Sequence, residues 1–329
     1  MTDLSTKYMG LSLKNPLVVG SSELTNSTSK IADLEKQGAG AVVLKSLFEE
    51  QIMSEVNAQR VNNMYGSYQE VENYVSFYTR KHDLDEYLEL IRKSKQEVDI
   101  PILASINCIS NGEWIDFARQ MEQAGADGLE LNMFILPNDP SKTSQQLEQI
   151  YFDVLEEVNK AVDLPVSMKV GSYFSGMANI LVELSEKGLD GMVLFNHFYR
   201  PDIDIEEEKV RAADIFSEPR DIANTLRWIG ILYDKLKCDM AASTGIHTGE
   251  GAIKALLAGA KVTQIASTLY KNKPLYIGTM LKDMKNWMQK KGYTTLADFR
   301  GKVSQAEIKQ PMMYERAQFM KYYSNYSNK

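Results

Sequence analysis

Lys36-Gln37-Gly38-Ala39-Gly40-Ala41-Val42-Val43-Leu44-Lys45-Ser46 holds the repeating unit of this chain in miniature. A helix-like stretch ends at Gln37, and Gly38 follows as a C-terminal cap. Ala41–Leu44 is an apolar run of the length of a short buried strand. Lys45 then ends the run. The same grammar returns at Pro165-Val166-Ser167-Met168, which ends in Lys169. A lysine at the end of a buried parallel strand must be paired or must face a ligand. Gly128-Leu129-Glu130-Leu131 ends in Asn132, and Met192-Val193-Leu194-Phe195 ends in Asn196. Polar residues at the ends of alternate buried strands are how a (β/α)8 barrel builds an active site.

Working outward, strand and helix signals alternate eight times along the chain. The strand candidates are Asn15–Ser21, Ala41–Ser46, Pro101–Cys108, Gly128–Phe134, Pro165–Gly171, Gly191–Phe198, Asp239–Gly245 and Val262–Thr268. Helical periodicity fills the intervals, as at Asp83–Val98, Glu113–Ala124, Ser144–Val162, Met177–Lys187, Ile222–Leu236 and Gly249–Ala258. Gly125, Gly188 and Gly259 repeat the cap of Gly38. Eight βα units favour a closed parallel barrel, a TIM barrel, over an open doubly wound sheet. The expected organisation is one barrel domain over 1–329, with its core at about 15–292 and a C-terminal extension at 293–329. Leu4–Lys14 is expected to form a small hairpin closing the barrel bottom. The long connections Leu47–His82 and Tyr199–Arg220 leave the C-terminal ends of strands, where lids and substrate walls lie. The aromatic tail, with Tyr314, Phe319, Tyr322, Tyr323 and Tyr326, is expected to pack on its own domain or a subunit interface. A homodimer is the expected assembly.

Composition bounds the function class. The 329 residues are 44% hydrophobic and 25% charged, with a formal charge of -7. That is an ordinary globular composition, and the acidic balance argues against nucleic acid or an anionic membrane as partner. Asp202, Asp204, Glu206, Glu207 and Glu208 read as a solvated loop face. Cys108 and Cys238 make neither a disulfide framework nor a metal-ligand spacing. Neither a signal peptide nor a membrane span is legible, so a soluble cytoplasmic protein acting on a small molecule is expected.

The strand ends carry the chemistry. An ammonium such as Lys169 stabilises the negative charge that a flavin accumulates on reduction, and Lys45 suits another edge of the same ring. The alternative is that each lysine pairs with a carboxylate such as Glu130 or reaches the rim. Asparagines offer both donor and acceptor to a planar heterocycle. Asp239–Ile246 leads through Thr248-Gly249-Glu250-Gly251 into a helix, and Gln264-Ile265-Ala266-Ser267-Thr268 follows. Small residues after strands seven and eight form the usual phosphate cradle of a barrel, and they also serve packing. His197 is either a general acid–base group or a hydrogen-bonded structural histidine. His82 and His247 fall in loops and carry little information. Cys108 is either a reactive thiol or a small buried hydrophobe.

In family order, these segments resemble the flavin-dependent dihydroorotate dehydrogenases in their soluble class 1 form. The resemblance runs from about Leu11 to Lys302. It rests on Asn15-Pro16-Leu17, Leu44-Lys45-Ser46, Glu130-Leu131-Asn132, Met168-Lys169-Val170, Phe195-Asn196, Ser243-Thr244-Gly245-Ile246-His247-Thr248-Gly249 and Lys291-Gly292-Tyr293 through Phe299-Arg300-Gly301-Lys302. It implies FMN. Gly20 and Ser21 would then touch the flavin edge, Lys45 and Ser46 the isoalloxazine, Lys169 the region of N1, and Asn132 the ring. Thr244, Gly245, Ala266 and Ser267 would hold the phosphate. Asn132, Asn138 and Asn196 match asparagines that bind orotate, a site Lys45 also borders.

The chain departs from the family at three places. The family's base, a cysteine or serine, follows the strand-four asparagine and precedes Pro-Asn. Here that segment is Asn132-Met133-Phe134-Ile135-Leu136-Pro137-Asn138, one residue longer, with apolar Ile135 and Leu136 where the base would stand. The substrate-loop signature is lost at Val75–Lys81. A glycine-rich stretch beside the cofactor is replaced by Phe216-Ser217-Glu218-Pro219-Arg220, and Glu218 there is expected to bring negative charge towards an anionic cofactor. The leading expectation is an FMN-dependent oxidoreductase acting on dihydroorotate or a related dihydropyrimidine. Either His197, Tyr78 or another loop group replaces the base, or the substrate is not dihydroorotate. The alternatives are a flavin- or pyrimidine-binding relative without turnover, and a flavin-free barrel enzyme for a phosphorylated substrate.

Overall fold

The computed structural model describes residues 2–48, 84–107, 113–197 and 201–315. Eight parallel strands form the barrel: β1 Leu17–Val19, β2 Ala41–Val43, β3 Ile102–Asn107, β4 Gly128–Asn132, β5 Val166–Val170, β6 Gly191–Leu194, β7 Asp239–Ala242 and β8 Val262–Ile265. Each pairs in parallel with its sequence neighbours, and β8 returns to β1 through Thr263↔Leu17, Gln264↔Val18 and Ile265↔Val19. The sheet is therefore a closed (β/α)8 barrel, as the alternation of signals required.

The outer ring holds α1 Thr28–Lys36, α2 (residues 84–97), α3 Glu113–Gln123, α4 Ser144–Ala161, α5 Met177–Glu186, α6 Ile222–Leu232 and α7 Gly249–Ala258. The short α8 Ser267–Asn272 and the long α9 Tyr276–Lys291 complete it. Each helix turns an apolar stripe onto the strands; Tyr151, Val154, Leu155 and Val158 do this on α4. Gly38, Gly125, Gly188 and Gly259 all take positive φ after their helices, as the sequence pattern demanded.

Strands Thr6–Tyr8 and Leu11–Leu13 pair as the expected N-terminal hairpin. Tyr8, Met9 and Leu13 pack with Val18, Ala41, Val43, Leu103, Val193, Ala241 and Val262 as a small core inside the barrel. The hairpin thus closes the N-terminal end. The contact is close: a Cβ on Gly191 would stand 2.7 Å from Tyr8 Oη.

Several strands are shorter than the apolar runs that announced them. β2 stops at Val43, β6 at Leu194 and β8 at Ile265. The remainder of each run leaves regular pairing and enters the C-terminal face, keeping single bonds such as Leu44 N to Leu103 O and Asn196 N to Val170 O, and Ser267 and Thr268 open α8 instead of extending β8. The acidic run is an exposed antiparallel hairpin, Pro201–Asp204 with Lys209–Ala212, rather than an irregular loop. Arg211 bridges Asp202 at 2.8 Å across it. Of the aromatic tail, Tyr314 packs on its own chain, against Gly230 and with its hydroxyl donating to the Val303 carbonyl. Phe319, Tyr322, Tyr323 and Tyr326 lie outside the described residues, as do Val75, Tyr78, His82 and Cys108. No helix among the described residues is long and apolar enough to cross a membrane.

Candidate active site

The C-terminal strand ends surround a cleft of about 410 Å³. Parallel pairing sets Asn132 directly beside Lys169. Beyond β6 and the buried Phe195, Asn196 and His197 reach the same space. Gly20 and Ser21 after β1, and Lys45 and Ser46 after β2, form the opposite wall. Thr244, Gly245, Ala266 and Ser267 close the remaining side.

The two lysines answer their burial differently. Lys45 Nζ lies 2.5 Å from Glu23 Oε1, and both residues line the cleft. That hydrogen bond holds the Glu23 carboxyl below its usual range. Lys45 is thus paired, with a carboxylate from the β1–α1 connection and not with Glu130. Lys169 Nζ donates to Gln264 Oε1 at 3.1 Å. Gln264 Nε2 in turn donates to Glu130 Oε2. Glu130 is fully buried; burial pushes its carboxyl upward, opposed by the charge of Lys169 and the bond from Gln264. Among the described residues no carboxylate lies within ion-pair distance of Lys169. Its remaining N–H donors are available to the cleft.

Among the described residues, two polar atoms at the cleft have no protein partner. They are Asn132 Oδ1 and His197 Nε2, both shielded from solvent. Asn196 is held by its Nδ2, which donates to Lys169 O at 3.3 Å and Met133 O at 3.5 Å. On the opposite wall Ser46 Oγ sits between Ser21 Oγ at 3.0 Å and Ser105 Oγ at 2.7 Å.

The β7–α7 turn is set by Thr244 and Gly245, with φ of 74° and 81°. Thr244 Oγ1 donates to Phe195 O at 3.0 Å, which ties the turn to β6. Across from it, Ser267 Oγ accepts from Ser217 N at 3.1 Å. Ser217 Oγ lies 3.1 Å from His247 Nε2, and Lys271 Nζ donates to Ser217 O at 3.2 Å. His247 is therefore a buried prop of this wall, not an uninformative loop residue. Burial, reinforced by Lys271, lowers its pKa. Glu218 departs from expectation: it does not line the cleft, and its Oε1 accepts from Lys271 at 2.8 Å. Its charge is spent on that lysine. Phe216 stacks on Tyr270 at 5.1 Å between centroids, forming an apolar lip.

The loop after β4 does not bring Asn138 to the cleft lining; Asn138 is exposed and donates its N–H to Leu136 O at 2.9 Å. Ile135 packs on the core and Leu136 is exposed. Neither supplies a proton acceptor. The sequence shows Gln264 only within a phosphate-binding segment and Phe216 only within the stretch that replaces the family's glycines, and it does not single out Glu23 or Tyr270 as wall residues. The signal for Glu23 was a lone acid directly after Gly20-Ser21-Ser22.

A family model described as dihydroorotate dehydrogenase matches residues 3–288. The catalytic subunit of dihydroorotate dehydrogenase B (NAD(+)) from Methanocaldococcus jannaschii is 30% identical over 277 residues, covering 81% of this chain and 87% of that protein. Dihydroorotate dehydrogenase A (fumarate) from Lactococcus lactis is 26% identical, over 91% of this chain and 99% of its own length. The fumarate-type enzyme of Saccharomyces cerevisiae is 25% identical, over 92% and 98%. With the barrel, the cleft and its strand-end lysines in place, this agreement over most of the sequence makes the chain a member of the dihydroorotate dehydrogenase family.

Proposed function

We propose that this oxidoreductase-family chain uses FMN to oxidise dihydroorotate or a related dihydropyrimidine. The observation that carries the reading is Lys169, a cleft-facing ammonium with no ion-pair partner among the described residues, beside Asn132 Oδ1, an acceptor likewise unpartnered among them. A cation and a lone acceptor side by side suit the edge of a flavin, which offers both an N–H and oxygens that gain negative charge. Lys169 and Asn132 would hold that edge. Backbone N–H groups of the Thr244–Gly245 turn and of Ala266–Ser267 would hold the phosphate, where the glycine lets the backbone come close. Gly20, Ser21 and Ser46 would flank the ring. Bound FMN would supply a two-electron acceptor for the hydride from one substrate C–H bond, as the adjoining C–C bond becomes a double bond.

The neighbouring C–H must also lose a proton. Met133, Phe134, Ile135 and Leu136 offer no acceptor. His197 Nε2 lies at the cleft with no hydrogen-bond partner among the described residues, and it takes that proton. Asn196, pinned to the Lys169 and Met133 carbonyls, orients the pyrimidine beside it. Phe216 and Tyr270 exclude water at the lip.

A second reading is a flavin- or pyrimidine-binding protein without turnover. It is favoured by the apolar β4 loop and by Glu23, which occupies Lys45. Purified protein, or protein incubated with FMN, should show bound-flavin absorbance. Failure to bind at ~10 μM, an order-of-magnitude ceiling for a useful cofactor site, would refute the cofactor assignment. Anaerobic bleaching by a panel of dihydropyrimidines then separates the readings: bleaching by at least one supports turnover, and bound flavin that none reduces supports the second.

A further inference from the structure

Among the described residues, Glu130 is the one fully buried carboxylate, and the proposed chemistry leaves it unused. It lies on β4, two residues before Asn132, so both side chains point into the barrel. Its Oε2 accepts from Gln264 Nε2, and its Oε1 has no partner. Gln264 is oriented by this contact. With Nε2 committed to Glu130, its Oε1 is directed at Lys169 Nζ, 3.1 Å away. Gly20 borders this amide: a Cβ there would be in van der Waals contact, 3.4 Å from Gln264 Oε1. Four strands, β1, β4, β5 and β8, thus converge on one line of contacts running from the interior to the cleft.

We infer that Glu130 is an ionised positioning residue that acts through Gln264 to aim the Lys169 ammonium and partly balance its charge. This rests on the FMN reading. A buried carboxylate without a partner charge is costly. The Lys169 ammonium, one amide away, provides that charge without a direct ion pair. The arrangement has a use. A lysine in direct contact with Glu130 would be drawn to the interior and lost to the cleft. The intervening amide passes on the attraction and leaves the ammonium at the surface of the site. The groups facing Glu130 are Lys169 on β5, Tyr8 of the hairpin and Tyr87 on α2. Neither tyrosine supplies a cation, so Lys169 is the countercharge.

The test compares affinities for oxidised and reduced FMN in wild type and Glu130→Gln. The substitution keeps an acceptor for Gln264 Nε2 and removes the charge. Reduced FMN should gain on oxidised FMN by roughly tenfold, the scale of one charge screened by a protein interior, and the bound-flavin potential should rise. In a Gln264→Met background the same substitution should change the ratio less, since the relay is already cut. An infrared difference spectrum between wild type and Glu130→Gln, taken without FMN, should show carboxylate bands. An unchanged affinity ratio, or bands of a protonated acid, would overturn the inference and make Glu130 a neutral packing acid. Should Glu130→Gln not fold, Gln264→Met alone decides: it should lower the preference for reduced FMN by un-aiming Lys169, and an unchanged preference would overturn the relay. A wild-type protein that binds no FMN defeats the cofactor reading, an outcome separate from these.

Discussion

Gly245→Ala tests the tightest joint of the site. Gly245 sits in the turn between β7 and α7 with φ of 81°, and a Cβ there would stand 2.1 Å from Ile222 N and 2.7 Å from Asp221 C. Both contacts are backbone at the start of α6, so no side chain can swing aside. The left-handed backbone costs an L-residue about 1–2 kcal/mol. Overpacking against fixed atoms adds about 1–3 kcal/mol. Gly292→Ala is the matched control, with φ of 75° and nothing within 4 Å of its Cβ. It should show the backbone cost alone. In urea unfolding Gly245→Ala should therefore be the less stable variant by about 1–3 kcal/mol. Because the same turn is proposed to hold the phosphate, its FMN affinity should fall by roughly tenfold or more, equivalent to about 1.4 kcal/mol. Gly292, at the end of α9, should leave FMN affinity untouched. Equal stability of the two variants, with wild-type FMN binding in Gly245→Ala, would refute both the packing argument and the assignment of this turn.

Lys169→Ala should weaken FMN binding and lower the bound-flavin potential, read by titration and spectroelectrochemistry; unchanged values would leave the lysine a structural one. His197→Asn should slow flavin reduction by a dihydropyrimidine by about 10²–10⁴-fold with little effect on FMN affinity, measured by stopped flow, and an unchanged rate would move the proton elsewhere. Cysteine introduced at Ile135 or Leu136 should raise that rate only modestly, since neither residue is among those lining the cleft. The depressed pKa of His247 means that the fold binds its proton less readily than the unfolded chain. The contribution is complete above the ordinary value of 6.5 and is lost as pH falls below it towards the folded pKa. Stability should thus fall between pH 6.5 and the lower folded value more steeply in wild type than in His247→Gln.

The barrel was legible because its unit is local. A helix stripe, a glycine cap and a short apolar run need no knowledge of distant residues, and Lys45 and Lys169 marked the strand ends that face the cleft. Partners were not legible for the opposite reason. Whether Lys45 meets Glu23 or Glu130 depends on where the β1–α1 connection sets Glu23, and nothing in either segment states that. Glu218 was misplaced because position along the chain does not give side-chain direction; it turns to Lys271, 53 residues on. Gln264 reads as one polar residue in a small-residue run. Its role follows from strand register, which sets its two ends against Glu130 and Lys169. His247 looked idle because Ser217, its partner, lies 30 residues earlier in a segment with no periodic signal.

The seam of the barrel has a consequence for biosynthesis. β1 completes its ladder only when Thr263, Gln264 and Ile265 arrive beside Leu17, Val18 and Val19. On the ribosome the first strand therefore waits for the last one through most of translation, tens of seconds at about 5–20 residues per second. During that interval one edge of β1 is open and its wholly apolar side chains lack half their cover. Without β8 the sheet has two unpaired margins, and pairing of β8 with β1 is what closes the cylinder. The exposure of that apolar edge should end only when Thr263, Gln264 and Ile265 have left the exit tunnel.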